Sequence, residues 1–152
     1  MTITANVSRR LRGTRHISLR TVVTGGDFTG WRGMIVNISS AGVAIAGGDT
    51  AGARCIGILI AATELRPGVE GLVPTGTVLT CESGQEEWFP IGSGTFAGTV
   101  VGLDACILNN RQITTGTVAT NDVRLGEIIE LETFNAVAGA WVHVGYSAAG
   151  IT

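Results

Sequence analysis

From Met34 to Tyr146 the chain is a succession of short runs rich in valine, isoleucine and threonine, none much longer than a single strand. They cover Met34–Ile38, Gly42–Ala46, Ala53–Ala61, Leu72–Cys81, Glu87–Ile91, Thr99–Leu108, Gln112–Val118, Leu125–Glu132 and Ala140–Tyr146. Turn signals separate them at near-regular intervals: Gly47-Gly48-Asp49, Arg66-Pro67-Gly68, Ser83-Gly84, Gly92-Ser93-Gly94, Asn109-Asn110, Asn121-Asp122 and Ala138-Gly139. β-Branched runs at such spacing predict an all-β barrel or sandwich. Glycine strengthens the exclusion of long helices, because 23 of 152 residues is about twice ordinary usage and glycine disfavours helix interiors. Only Glu127–Phe134, whose apolar spacing fits either period, and a single turn near Leu59–Leu65 compete as helices.

At this length the chain reads as one domain. An earlier strand is marked by Ile17, Leu19 and Val23 and is followed by a loop, Thr24 to Gly30, that leads to Trp31. Residues 1–15 lack periodicity. The expected organisation is therefore a compact β-barrel, β-tulip-like or sandwich domain of short antiparallel strands over 21–152, with an extended basic arm over 1–20 that is flexible unless docked. An internal echo is also visible. Ile35-Val36-Asn37, Val43-Ala44-Ile45 and Arg54-Cys55-Ile56-Gly57-Ile58 find counterparts about 70 residues on in Ile107-Leu108-Asn109, Gln112-Ile113 and Arg124-Leu125-Gly126-Glu127-Ile128.

Charge is scarce and lopsided. Only 14% of residues are charged, every basic residue is arginine, and Arg9, Arg10, Arg12, Arg15 and Arg20 all precede the first acid. The arm is basic and the body acidic. So few charges imply a surface of threonine, glycine and alanine or one covered by another protein. An acidic protein neighbour suits the arm. DNA does not, because the body would repel it and the arm carries no interleaved aromatic residues. The longest apolar run, Ile56 to Ala62, has strand length, too short for a helical membrane span. Nor does an apolar segment of signal-peptide type follow the arginines.

Chemistry is hard to find. Cys55, Cys81 and Cys106 are odd in number, far apart and set in apolar runs, which reads as buried free thiols in a reducing cytosol. His16 and His143 do not make a metal site, and His143 reads as the solvent-facing member of an alternating strand. Gly92-Ser93-Gly94-Thr95-Phe96-Ala97 matches a loose dinucleotide fingerprint, but β-branched residues and glycine follow where a helix is required. Gly25 to Gly30 lacks the lysine and hydroxyl of a phosphate loop. Glu86 and Glu87, as strand neighbours, would point to opposite faces, and the segment reads as a solvated turn. No catalytic residue, cofactor-binding residue or metal ligand is assigned. Trp141 reads as core, whereas Trp31 and Trp88 flank turns and are candidate interface anchors.

Ala53-Arg54-Cys55-Ile56-Gly57-Ile58-Leu59, Val101 to Leu108 continuing to Gln112-Ile113-Thr114, Leu125-Gly126-Glu127-Ile128-Ile129-Glu130 and Ala140 to Val144 resemble the strands of bacteriophage capsid decoration (cement, head-stabilising) proteins. The resemblance spans residues 33–146 and leaves out the basic arm and Glu82–Pro90. It implies a non-enzymatic virion protein, a homotrimer made in the host cytoplasm and bound to the outer capsid surface, where it bridges major capsid proteins without cofactor, membrane or nucleic acid. On that reading Arg9, Arg10, Arg12, Arg15 and Arg20 would lie across the capsid protein. The alternative is a tail, fibre or host-surface module stacking carbohydrate on Trp31 and Trp88.

Overall fold

A computed structural model of the chain describes residue 3 and residues 9–12, 17–62, 71–115 and 119–145. Arg15, His16 and the Arg66-Pro67-Gly68 turn lie outside the described residues. The fold is all-β. Its strands are β1 (Leu11–Arg12), β2 (Ser18–Val23), β3 (Phe28–Gly30), β4 (Ile35–Ile38), β5 (Ala44–Ala46), β6 (Arg54–Ala62), β7 (Gly71–Val73), β8 (Val78–Ser83), β9 (Glu86–Pro90), β10 (Asp104–Ile107), β11 (Ile113–Thr114), β12 (Arg124–Leu131) and β13 (Gly139–Val144). One antiparallel sheet has the order β2-β8-β6-β4-β5, a second β1-β9-β13-β12-β10-β11, and β3 and β7 form a separate two-stranded ribbon. The sheets stay open, so the architecture is of sandwich type and not a closed barrel.

Local chemistry explains most boundaries. The apolar run over Leu72–Cys81 breaks into β7 and β8 at Pro74-Thr75-Gly76, where Gly76 takes φ 83°, a conformation that costs glycine little. Residues 127–131 are strand, not helix, because β12 is paired on both sides, to β10 and β13. The segment after the dinucleotide-like glycines makes one 3₁₀ turn, Gly98–Val100, and no helix of useful length. The arm boundary expected between Arg20 and Thr21 falls inside β2. Both N-terminal strands pair antiparallel, β2 with β8 in the first sheet and β1 with β9 in the second.

The internal echo is a structural repeat, offset slightly from its sequence signal. Val36 pairs with Gly57 in the first sheet, and Ala105 pairs with Gly126 in the second. Each pairing shifts register just beyond that glycine. Ile38 opposes Ala44 as Ile107 opposes Ile113. Leu59 opposes Cys81 as Ile128 opposes Val142, with a further register shift after each. A Cβ on Gly57 would strike the Glu82 carbonyl, and one on Gly126 the His143 carbonyl. Isolated parallel bridges, Thr24 to Ala44 and Ile91 to Ile113, recur in the same way. Strands β2, β4, β5, β6 and β8 thus correspond to β9, β10, β11, β12 and β13.

Each repeat has its own apolar core. Val22, Met34, Val36, Leu59, Leu79 and Cys81 belong to the first, and Phe89, Ala105, Ile107, Ile113, Ile128 and Val142 to the second. Ile35 and Ile58 of the first sheet reach into the second core and join the two.

Candidate functional site

Among the described residues, the densest constellation of charged and aromatic groups lies where β1 pairs with β9. Strand alternation in Glu86-Glu87-Trp88-Phe89-Pro90 sends Glu87 and Phe89 inward, both fully buried, and Glu86 and Trp88 to the other face. Trp88 stands opposite Trp141 of β13. Phe134 makes edge contacts with both indoles, at 5.2 Å from Trp88 and 6.3 Å from Trp141. The two indoles converge on one residue: Trp88 Nε1 donates to the Glu132 carbonyl at 2.8 Å and Trp141 Nε1 to Glu132 Oε2 at 2.7 Å. Gly139 is required beneath them, since any Cβ there would lie inside the Trp88 ring.

The basic strand closes over this shelf, and its own alternation sorts the arginines. Arg10 places its guanidinium 4.0 Å from the Phe134 centroid, and Arg12 lies 4.3 Å over Trp141. Arg12 also pairs with Glu86 at 3.1 Å and with Glu130 at 2.7 Å. Arg9 turns to the opposite face, where its Nε donates to Glu87 Oε1 at 2.9 Å and its Nη2 reaches Glu82 and Glu87. A backbone bond from Trp88 N to the Arg10 carbonyl at 3.1 Å fixes the register.

Electrostatics on the inner face are tightly coupled. Burial pushes the Glu87 carboxyl above its usual range, against the opposing hydrogen bond and charge of Arg9. Burial also works against the Arg9 guanidinium, but Glu87 and Glu82 outweigh it and hold Arg9 above its ordinary value. Buried Arg111, 5.8 Å from the Phe89 ring, is lowered by desolvation. Gln85 is fully buried beside Glu87. Glu87 is therefore a buried carboxylate that depends on the arm, not part of a solvated turn.

The predicted site residues divide accordingly. Arg9, Arg10 and Arg12 are engaged by the chain's own acids and rings. Arg20 is separate and exposed, lining a cleft of about 320 Å³ between the repeats with Arg54, Cys55, Gly57, Arg124 and Gly126. Burial pushes the Cys55 thiol up to about 12, and Cys81 and Cys106 likewise, all three being free. Trp88 is only 5% exposed, which corrects its assignment as an interface anchor and removes it as a sugar-stacking platform. Trp31 is half-buried against the first core, in the other repeat. His143 is also half-buried. No cluster of metal-ligand side chains occurs among the described residues.

Sequence reasoning missed Glu82 and Glu87 as partners of the arm. The available signal was the alternation of Glu86–Pro90, which puts one glutamate on the apolar face. Comparison with known protein families, characterised proteins and solved structures finds no match for this chain.

Proposed function

We propose that the chain is a non-enzymatic structural protein of a phage virion, a trimer that binds the outer capsid surface and bridges neighbouring major capsid proteins. The observation that carries this reading is the outer edge of β2. That strand ends its sheet, and five of its six residues are exposed, among them Leu19 at 63% and Val23 at 44%. A free-standing protein usually blunts such an edge with charge, proline or a covering loop. An edge that shows Leu19 and Val23 to solvent with Arg20 as its one charge suits strand addition by a neighbouring protein, in which main-chain hydrogen bonds supply affinity. A low-charge surface suits the many modest contacts of a symmetric fastener, whose avidity exceeds any single contact.

The docked arm changes the residues that would do the work. Arg9, Arg10 and Arg12 hold the fold together on the chain's own shelf, so capsid contact falls to β2 and its Arg20. The test is co-sedimentation with empty expanded heads built from the cognate major capsid protein. Leu19→Lys/Val23→Lys, which charges the edge without touching either core, is expected to weaken head binding at least tenfold. Unchanged occupancy, or immunogold labelling on tails instead of heads, overturns the proposal.

A further inference from the structure

The two repeats differ most at one end. In the first, the β3–β7 ribbon lies across the core and buries Phe28 and Val73 over Met34 and Leu59, both of which are fully buried. The backbone beneath is the same in the second repeat. Leu59 N donates to the Met34 carbonyl as Ile128 N donates to Leu103, and Gly33 N donates to Leu59 as Gly102 N does to Ile128. Gly33 and Gly102 share φ values of 90° and 88°. Leu103 and Ile128 are thus the counterparts of Met34 and Leu59.

The second repeat has the floor without the ribbon. Its connection from β12 to β13 spans residues 132–138, where β6 and β8 are joined by residues 63–77, the stretch that supplies β7. In place of β3 there is an irregular loop and the Gly98–Val100 turn. As a result Leu103 is 54% exposed and Val101 44% exposed, and an open cleft of about 400 Å³ remains over Val100, Leu103, Cys106 and Ile128.

We infer that this cleft receives the β3–β7 ribbon of a second copy of the chain. The first repeat shows which structure this floor accommodates: a short neutral β-ribbon bearing apolar side chains. The chain's own ribbon presents such a surface outward, because Leu72 on β7 is 68% exposed, the most of any large apolar residue described. Charge is compatible, since the outward ribbon residues Thr29 and Leu72 are neutral and the rim arginine, Arg124, pairs with Asp104 at 3.1 Å and Asp122 at 3.9 Å. The ribbon belongs to one repeat and the vacancy to the other, so the contact is head-to-tail. Such contacts close into rings when the rotation allows, and a ring of three would supply the trimer. This deepens the oligomer part of the proposed function and requires no capsid contact.

Sedimentation velocity on the full chain tests it, using Leu72→Glu and Leu103→Glu, two exposed sites whose substitution leaves both cores intact. The wild type is expected to sediment as an oligomer and each variant as a monomer with unchanged circular dichroism. An equimolar mixture is expected to form a heterodimer that grows no further, because the ribbon intact in Leu103→Glu meets the cleft intact in Leu72→Glu. A monomeric wild type, a variant that keeps the wild-type mass, or a mixture that stays monomeric overturns the inference. Loss of head binding by an otherwise intact oligomer would count against the capsid proposal alone.

Discussion

Replacing Arg9 by methionine keeps an apolar stem across β9 but removes the only guanidinium hydrogen-bonded to Glu87 among the described residues. Glu87 is fully buried and Arg9 nearly so, at 15% side-chain exposure, so solvent screening offers little relief. Removing one member of a buried pair costs about 3–5 kcal/mol. Two features reduce that here: Arg111 stays nearby, and the Glu87 carboxyl, already pushed up by burial, can take a proton. About 3 kcal/mol is expected above neutral pH. The sign of the pH dependence follows from the direction of the shift. A carboxyl with a raised folded-state pKa contributes most stability below its ordinary range and loses it as pH rises through the folded value. Losing Arg9 raises the Glu87 carboxyl further still, so the defect in Arg9→Met should shrink on acidification by up to about 1.4 kcal/mol per pH unit, as pH falls from the variant's folded value to that of the wild type. Adding Glu87→Gln should recover about 2 kcal/mol at neutral pH and flatten the pH dependence. Urea denaturation followed by tryptophan fluorescence reads both quantities, since Trp88 and Trp141 lie on the same shelf. An Arg9→Met chain within about 0.5 kcal/mol of wild type, or a double variant no more stable than the single, would refute the buried-pair account.

Gly57→Ala and Gly126→Ala should be comparably damaging, each costing about 3 kcal/mol or preventing folding, because both drive a Cβ into the carbonyl of an adjacent strand. Thermal denaturation of the two variants checks this, and tolerance at one glycine alone would break the equivalence of the repeats. Labelling of Cys81 and Cys106 at pH 8 should be limited by unfolding, because both are buried and pushed up to about 12. A rapid burst at more than one thiol without denaturant would contradict that placement.

The fold class was legible because strand formation here is local: β-branched runs cut by glycine, asparagine and aspartate turns can adopt little else. Free cysteines followed from their apolar neighbours in the same way, Cys81 and Cys106 being buried as expected and Cys55 only half-buried. The repeat was visible in outline, yet its true alignment makes Gly57 the equivalent of Gly126, and only the register of β6 and β12 could show that. Side-chain partnership was not legible. Whether Arg9 meets a neighbour or its own Glu87, and whether Trp88 is displayed or buried under Arg10, depends on which strands lie side by side. Pairing of β1 with β9 joins residues more than 70 positions apart, and no local pattern encodes such a contact. Sequence alone determined that this chain would be a sheet protein with an arginine-rich start and an acidic body. Tertiary structure alone decided that the two charges would be spent on each other, because only folding brings a buried carboxylate, which must be paired, within reach of the arm.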